Sequence, residues 1–144
     1  MSESDRRTFL RISGMAVGGL AIGSVNLACA ASLAPRMRAD VANSRILFDT
    51  AIPELARPGD AVALESLFLE YPILLIRRED ASFSAVSTEC THRGCEVKKE
   101  RELLRCPCHD SAFDFSGNVL NGPAEHPLRH YAVNVKGSVV EILI

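Results

Sequence analysis

The chain has no tryptophan, only two tyrosines and only six phenylalanines in 144 residues. A core built on large aromatic rings is excluded, and the apolar packing has to be aliphatic. Basic excess is also missing: 16 Lys and Arg stand against 18 Asp and Glu, for a formal net charge of −2. That leaves no electrostatic footprint for nucleic acid. There is no internal repeat and no low-complexity tract, which excludes solenoids and arrays. From Ser44 onward no window carries a long helical period, so a helical bundle is excluded as well. What the chain does have is 47% apolar residues and enough length for one domain plus an extra segment. It also has five cysteines, of which Cys90, Cys95, Cys106 and Cys108 fall within 19 residues. That clustering points to a metal or disulfide site.

The N-terminus reads as an export device. Arg6-Arg7-Thr8-Phe9-Leu10 is similar to a twin-arginine signal. From Ile12 to Ala34 no charge occurs, and a run of that length spans a bilayer as a helix of about 20 residues. Residues 1–35 are therefore expected to form a signal and an uncleaved membrane helix, with Arg6, Arg7 and Arg11 on the cytoplasmic side. A removable signal cleaved near Ala28-Cys29-Ala30 is the alternative. Cys29 is read as a small helix residue. Residues 36–44, polar with Arg36, Arg38 and Asn43, read as a hinge linker.

Residues 45–144 read as β structure. Short apolar runs recur at Arg45–Phe48, Ala61–Leu64, Pro72–Ile76, Phe83–Val86, Leu103–Arg105, Tyr131–Val135 and Val139–Ile142. Turn formers separate them at Pro58-Gly59-Asp60, Ser116-Gly117-Asn118 and Lys136-Gly137-Ser138. The last joins two alternating strands as a hairpin. Many short strands between turns predict an all-β, antiparallel sandwich or small barrel.

Two segments carry chemistry: Cys90-Thr91-His92-Arg93-Gly94-Cys95 and Cys106-Pro107-Cys108-His109-Asp110-Ser111. Two Cys and two His suit a structural zinc site. Zinc pairs, however, usually stand two to four residues apart, and Cys-x-His is tighter. A two-metal cluster relaxes the constraint, because each loop can give its Cys to one metal and its His to the other. A zinc site also leaves Cys95 and Cys108 without a task.

These segments resemble the Rieske iron–sulfur family, whose pattern is C-T-H-x-G-C followed by C-P-C-H-G-S. Gly122-Pro123-Ala124, Phe113-Asp114 with Gly117, and Pro127-Leu128 with Tyr131 add to the resemblance. It implies an antiparallel Rieske domain with a cluster-binding loop subdomain and a 2Fe–2S cofactor. Cys90 and Cys106 would bind the buried iron, and His92 and His109 the outer iron. Cys95 and Cys108 would form a disulfide, and Ser111 would donate to a bridging sulfide. Gly122-Pro123-Ala124 would cover the cluster. The disulfide pair and Ser111 resemble the high-potential branch, which includes the Rieske subunit of cytochrome bc-type quinol oxidases. By that resemblance His109 meets quinol, and the partners are cytochrome b and a c-type cytochrome, with the domain on the periplasmic side of the membrane. An exported Rieske subunit of a periplasmic oxidoreductase, such as arsenite oxidase, would share the signal and cluster without the anchor. A cytoplasmic Rieske ferredoxin serving oxygenases would lack the extra cysteine pair. Three positions depart from the pattern: Asp110 replaces the usual Gly, Phe113 a frequent Tyr, and Glu125 a frequent Pro. His126 and His130 match no ligand position and read as surface residues.

Overall fold

The computed structural model describes residues 34–144, so the expected signal and membrane helix lie outside the described residues. Twelve strands and one short 3-10 turn at Pro53–Leu55 make up the regular structure of those residues. The architecture is all-β. Among the described residues no helix is long and apolar enough to cross a membrane.

One sheet has eight strands. In chain order these are β1 (Arg36–Arg38), β2 (Val41–Ala42), β3 (Arg45–Asp49), β4 (Ala61–Glu65), β5 (Ile73–Arg77), β6 (Phe83–Ser87), β11 (His130–Lys136) and β12 (Val139–Leu143). Their order across the sheet is β1-β4-β5-β6-β11-β12-β3-β2. β1 and β2 stand at opposite ends of that order, yet only Ala39 and Asp40 separate them. The sheet must therefore curl until its two edges nearly meet, giving a small barrel. The second sheet is β10-β9-β8-β7, from Val119–Asn121, Ala112–Phe113, Leu104–Arg105 and Lys98–Lys99.

β4 and β5 are buried on both faces, which explains their near-continuous apolar sequences Ala-Val-Ala-Leu and Ile-Leu-Leu-Ile. Successive side chains alternate between two cores. Val62, Leu64, Ile73 and Leu75 point into the barrel, where Ile46, Val140 and Ile142 meet them. Ala61, Ala63, Leu74 and Ile76 point the other way, against Leu104, Phe113 and both Cys90 and Cys106. The small alanines let the four-stranded sheet approach closely. Each fully buried Leu, Ile or Phe contributes roughly 1.5–3 kcal/mol of apolar burial.

Residues 36–44, expected as a hinge linker, are instead part of the sheet. β1 pairs with β4 in parallel, Arg36 opposite Ala63 and Arg38 opposite Glu65, the one parallel pair among the strands described. Pro35 and Glu65 carbonyls accept the flanking N–H groups of Ala63 and Ala39, both at 2.8 Å. The segment looks like a linker because its charge, Arg36, is matched by distant partners: it bridges Glu65 and Glu96. Asn43 and Ser44, at φ of 51° and 58°, form the tight turn of the β2–β3 hairpin. A two-residue turn of this hand usually advertises itself with Gly, which is absent here.

Candidate metal centre

The two motif segments fold alike. Each is a six-residue loop closed by antiparallel pairing: residues 90–95 between Glu89 and Glu96, and residues 106–111 between Arg105 and Ala112. At each loop's base the first residue donates to the last, Cys90 N–H to Cys95 O at 2.9 Å and Cys106 N–H to Ser111 O at 2.8 Å. Inside each, the fifth residue donates back to the first: Gly94 N–H to Cys90 O at 2.8 Å, Asp110 N–H to Cys106 O at 3.0 Å. Both fifth residues are left-handed, at φ of 72° and 58°. Gly adopts that conformation freely, and Asp tolerates it better than most residues. Asp110 therefore keeps the loop where the family pattern has Gly.

This frame brings all four expected ligands to one end of the domain. Cys90 and Cys106 are free and buried, each 1% exposed. The rings of His92 and His109 lie 4.8 Å apart, edge to face, with His109 exposed and His92 half-buried. Burial pushes the Cys90 thiol up, the adjacent Cys106 thiol adds to this, and backbone N–H groups of His92 and Arg93 pull it down. A coordinating cation turns such thiols into thiolates, with those N–H groups already in place as donors to sulfur. His92 Nδ1 is buried and has no hydrogen-bond partner among the described residues. A buried, unpaired ring nitrogen is costly unless a ligand meets it. Two buried thiols, two adjacent imidazoles and an orphaned ring nitrogen fit an iron–sulfur cluster.

Cys95 and Cys108 form a disulfide with Cα atoms 6.5 Å apart, tying one loop to the other. The Sγ atoms of Cys95, Cys106 and Cys108 lie within 4.8 Å of each other, but two of the three are spent in that bond. The third loop is stapled to both motif loops. Ala124 N–H donates to Ser111 Oγ at 3.1 Å, and Thr91 Oγ1 donates to His126 O at 2.6 Å. Since Ser111 Oγ accepts from Ala124, its own proton remains available to donate elsewhere. Gly122 sits on Ser111 so closely that a Cβ would lie 2.5 Å from Ser111 Cα. His126 and His130 have exposed side chains, as expected, although the His126 carbonyl serves the site.

Other contributors escaped sequence reasoning. Thr91 sits inside the first motif but was given no role. Tyr71 packs against loop one, its hydroxyl 3.2 Å from where a Gly94 Cβ would be. Arg36, on β1, reaches across to Glu96, which also accepts from Lys98 at 3.1 Å. Asp114 organises the turn after β9, accepting from the N–H groups of Ser116 and Asn118 at 2.7 and 2.9 Å. Burial raises its carboxyl, but the Asn118 and Ser116 donors outweigh this and hold it below the usual range.

A family model of the Rieske [2Fe-2S] domain matches residues 51–132, more than half of the chain. The chain belongs to the Rieske family, and its cofactor is a 2Fe–2S cluster. It is 30% identical to a cytochrome b6-f complex iron-sulfur subunit of Chlorobaculum tepidum over 73 residues, 49% of this chain and 40% of that one. It is 34% identical over 92 residues to cytochrome b6-f complex iron-sulfur subunit 2 of Nostoc sp., covering 61% of this chain and 52% of that one. The chain thus spans about half or less of the length of these curated relatives. Among solved structures, a quaternary ammonium Rieske monooxygenase matches with a TM-score of 0.59 and 23% identity, over 69% of this chain and 30% of that one. At that identity the likeness is one of fold.

Proposed function

We propose that this chain is the electron-transfer subunit of a membrane-bound complex, taking electrons from quinol and passing them to a c-type cytochrome beside a cytochrome b subunit. Cys90 and Cys106 would hold the cluster through their thiolates, and His92 and His109 through ring nitrogens. When bound, the cluster supplies a one-electron centre in which two ferric ions, two sulfides and two thiolates sum to a neutral oxidised site, raising the potential above that of four-thiolate clusters. His109, exposed beside the half-buried His92, is the group a quinol hydroxyl can reach. The buried cysteines keep sulfur away from water. The observation that carries this reading is the edge-to-face imidazole pair, with His109 exposed, on disulfide-tied loops. The similarity to cytochrome b6-f iron-sulfur subunits supports it.

A second reading is favoured by one observation. Residues 35–42 are hydrogen-bonded into the sheet, so the described residues contain no hinge ahead of the domain. An exported subunit of a periplasmic oxidoreductase would need none. Purification from membranes in mild detergent separates the two. Co-purified b- and c-type haem, an intact Met1 or Ser2 N-terminus, two irons and two acid-labile sulfides per chain are the expected results. A mature N-terminus near Ala31 with the protein free in the periplasm favours the second reading. One zinc and no sulfide overturns both.

A further inference from the structure

The loop joining β4 to β5 carries Leu67 and Phe68, the most exposed large apolar side chains among the described residues, at 102% and 78%. Ser66 shapes this loop: its carbonyl accepts from Leu69 N–H at 3.1 Å and its hydroxyl from Phe68 N–H at 3.5 Å. Leu69 turns back and packs against the barrel core. The fold is therefore served by Leu69, and burial among the described residues gives no reason for the outward pair. An exposed apolar pair of this size marks a contact surface.

The covalent path of the chain indicates what that surface meets. The pair lines a groove of about 740 Å³ together with Arg36, Arg38, Val41 and Leu69. Arg36 and Arg38 belong to β1, the first described strand. The uncharged run Ile12–Ala34 ends one residue before it. Ala34 already packs against the core, and Pro35 is bonded into the sheet. An apolar run of spanning length thus leads directly into the groove wall, with no free tether between them.

We infer that the Leu67–Phe68 loop inserts into the headgroup boundary of a lipid bilayer and rests the domain on the membrane in one orientation. This deepens the anchored, quinol-oxidising reading and depends on it. Acidic Asp40, Glu65 and Glu70 line the same groove as the two arginines. Insertion is therefore driven by the apolar pair and does not need anionic lipid. The orientation serves the chemistry. Tyr71, which follows the loop, abuts Gly94 of the first metal-binding loop. A membrane contact here brings the metal centre to the boundary where a lipid-soluble reductant is found.

The absence of tryptophan makes the test direct. Full-length Phe68→Trp, reconstituted into zwitterionic vesicles, carries a single indole at the proposed contact. Val135→Trp is the control, at the β11–β12 hairpin end, opposite the metal-binding loops. Cluster absorbance verifies that both variants fold. Emission from Phe68→Trp is expected to shift to shorter wavelength and to be mostly lost in vesicles brominated near the headgroup, with emission from Val135→Trp unaffected. Protein that floats with vesicles while the Phe68→Trp emission stays unshifted and unquenched overturns the insertion but leaves the anchor standing. Protein that does not float overturns the anchor and the inference together. An indole in Phe68→Trp that is shielded equally in brominated and plain lipid indicates cover by protein, the chain's own N-terminal segment or a second copy, and also overturns it.

Discussion

The two Cys/His loops share a backbone frame, a buried leading Cys and one half each of the disulfide, and differ in most of what else is attached. Loop one places its His two residues after its Cys, has Gly at the left-handed position and ends in Cys95. Loop two places its His three residues after its Cys, has Asp110 at that position and ends in the buried Ser111. The offset of one residue explains the asymmetry of exposure. His92 lies lower, half-buried with an orphaned Nδ1, while His109 stands at the rim. The surroundings diverge too. Loop one runs out into a charged clamp, Glu96 with Arg36 and Lys98. Loop two runs into Ala112 and Phe113, which are buried. Both loops rest on one core through Cys90 and Cys106, and loop one carries the charged clamp at its exit in addition, so different perturbations should release them.

The largest expected effect follows from the tightest contact. Gly122→Ala places a Cβ against the Ser111 backbone at a φ of 100°. Neither backbone can yield, and the cost is about 2–5 kcal/mol. Gly94→Ala, in loop one, meets only the Tyr71 hydroxyl, the far end of a side chain that can move. It should cost about 1–2 kcal/mol, mostly from its left-handed backbone. Thermal unfolding followed by circular dichroism ranks the two. Equal losses would show that the packing of loop two is no tighter than that of loop one.

Removing the link between the loops comes next. Cys95→Ser with Cys108→Ser opens a bond across 13 residues of sequence. The expected loss is about 3 kcal/mol of stability. The ligands remain, so the cluster should form and then bleach faster in air. Bleaching at the wild-type rate would mean that the loops hold together without the bond.

Exchanging the left-handed residues sharpens the comparison further. Asp110→Gly should stabilise loop two by about 1 kcal/mol or less, and Gly94→Asp should destabilise loop one by a similar amount. Asp110→Gly also removes a carboxylate next to His109, so the midpoint potential should rise. Phe113→Tyr should raise it too, if the new hydroxyl reaches a cluster thiolate. The Phe113 ring is fully buried and shares a core with Cys90 and Cys106. Redox titration at one pH reads both shifts, and an unchanged potential in Phe113→Tyr would place the ring edge away from sulfur.

The smallest effect is a pH dependence confined to loop one. Burial raises the Glu96 carboxyl, but hydrogen bonds from Arg36 and Lys98 outweigh it and hold the group below the usual carboxylate range. A depressed carboxyl contributes stability above its unfolded value and loses it as pH falls through the folded one. Glu96→Gln should therefore cost up to about 1 kcal/mol at neutral pH, discounted for partial exposure. The difference from the parent should shrink from about pH 4.3 downward. A gap that is constant from neutral to acid pH would assign the effect to packing instead of charge.

Much of the domain was legible in the chain. Alternating or doubly apolar runs marked β3 to β6, β11 and β12, because a strand facing one or two cores writes its period into the sequence. Cysteine and histidine spacing marked both Cys/His loops, because few chemistries need those residues so close together. β1 was misread because its arginines resemble solvated linker residues; only the distant partners of Arg36, Glu65 and Glu96, reveal a strand there. The Asn43-Ser44 turn lacked the glycine that usually signals it. Thr91 and Tyr71 gave no local sign of a role, since each acts on a segment remote in sequence.

By itself, then, the sequence determined the all-β class and the two loops that carry the Cys/His pairs. These depend on local period and short spacing. Tertiary structure alone decided that β1 closes the barrel edge in parallel, that Arg36 ties it to the metal-binding loop, and that Ala124 and His126 staple a third loop over both. It also decided that Leu67 and Phe68 face outward while Leu69 turns in. Each of these depends on which distant backbone or charge lies opposite, and no residue encodes that in its neighbours.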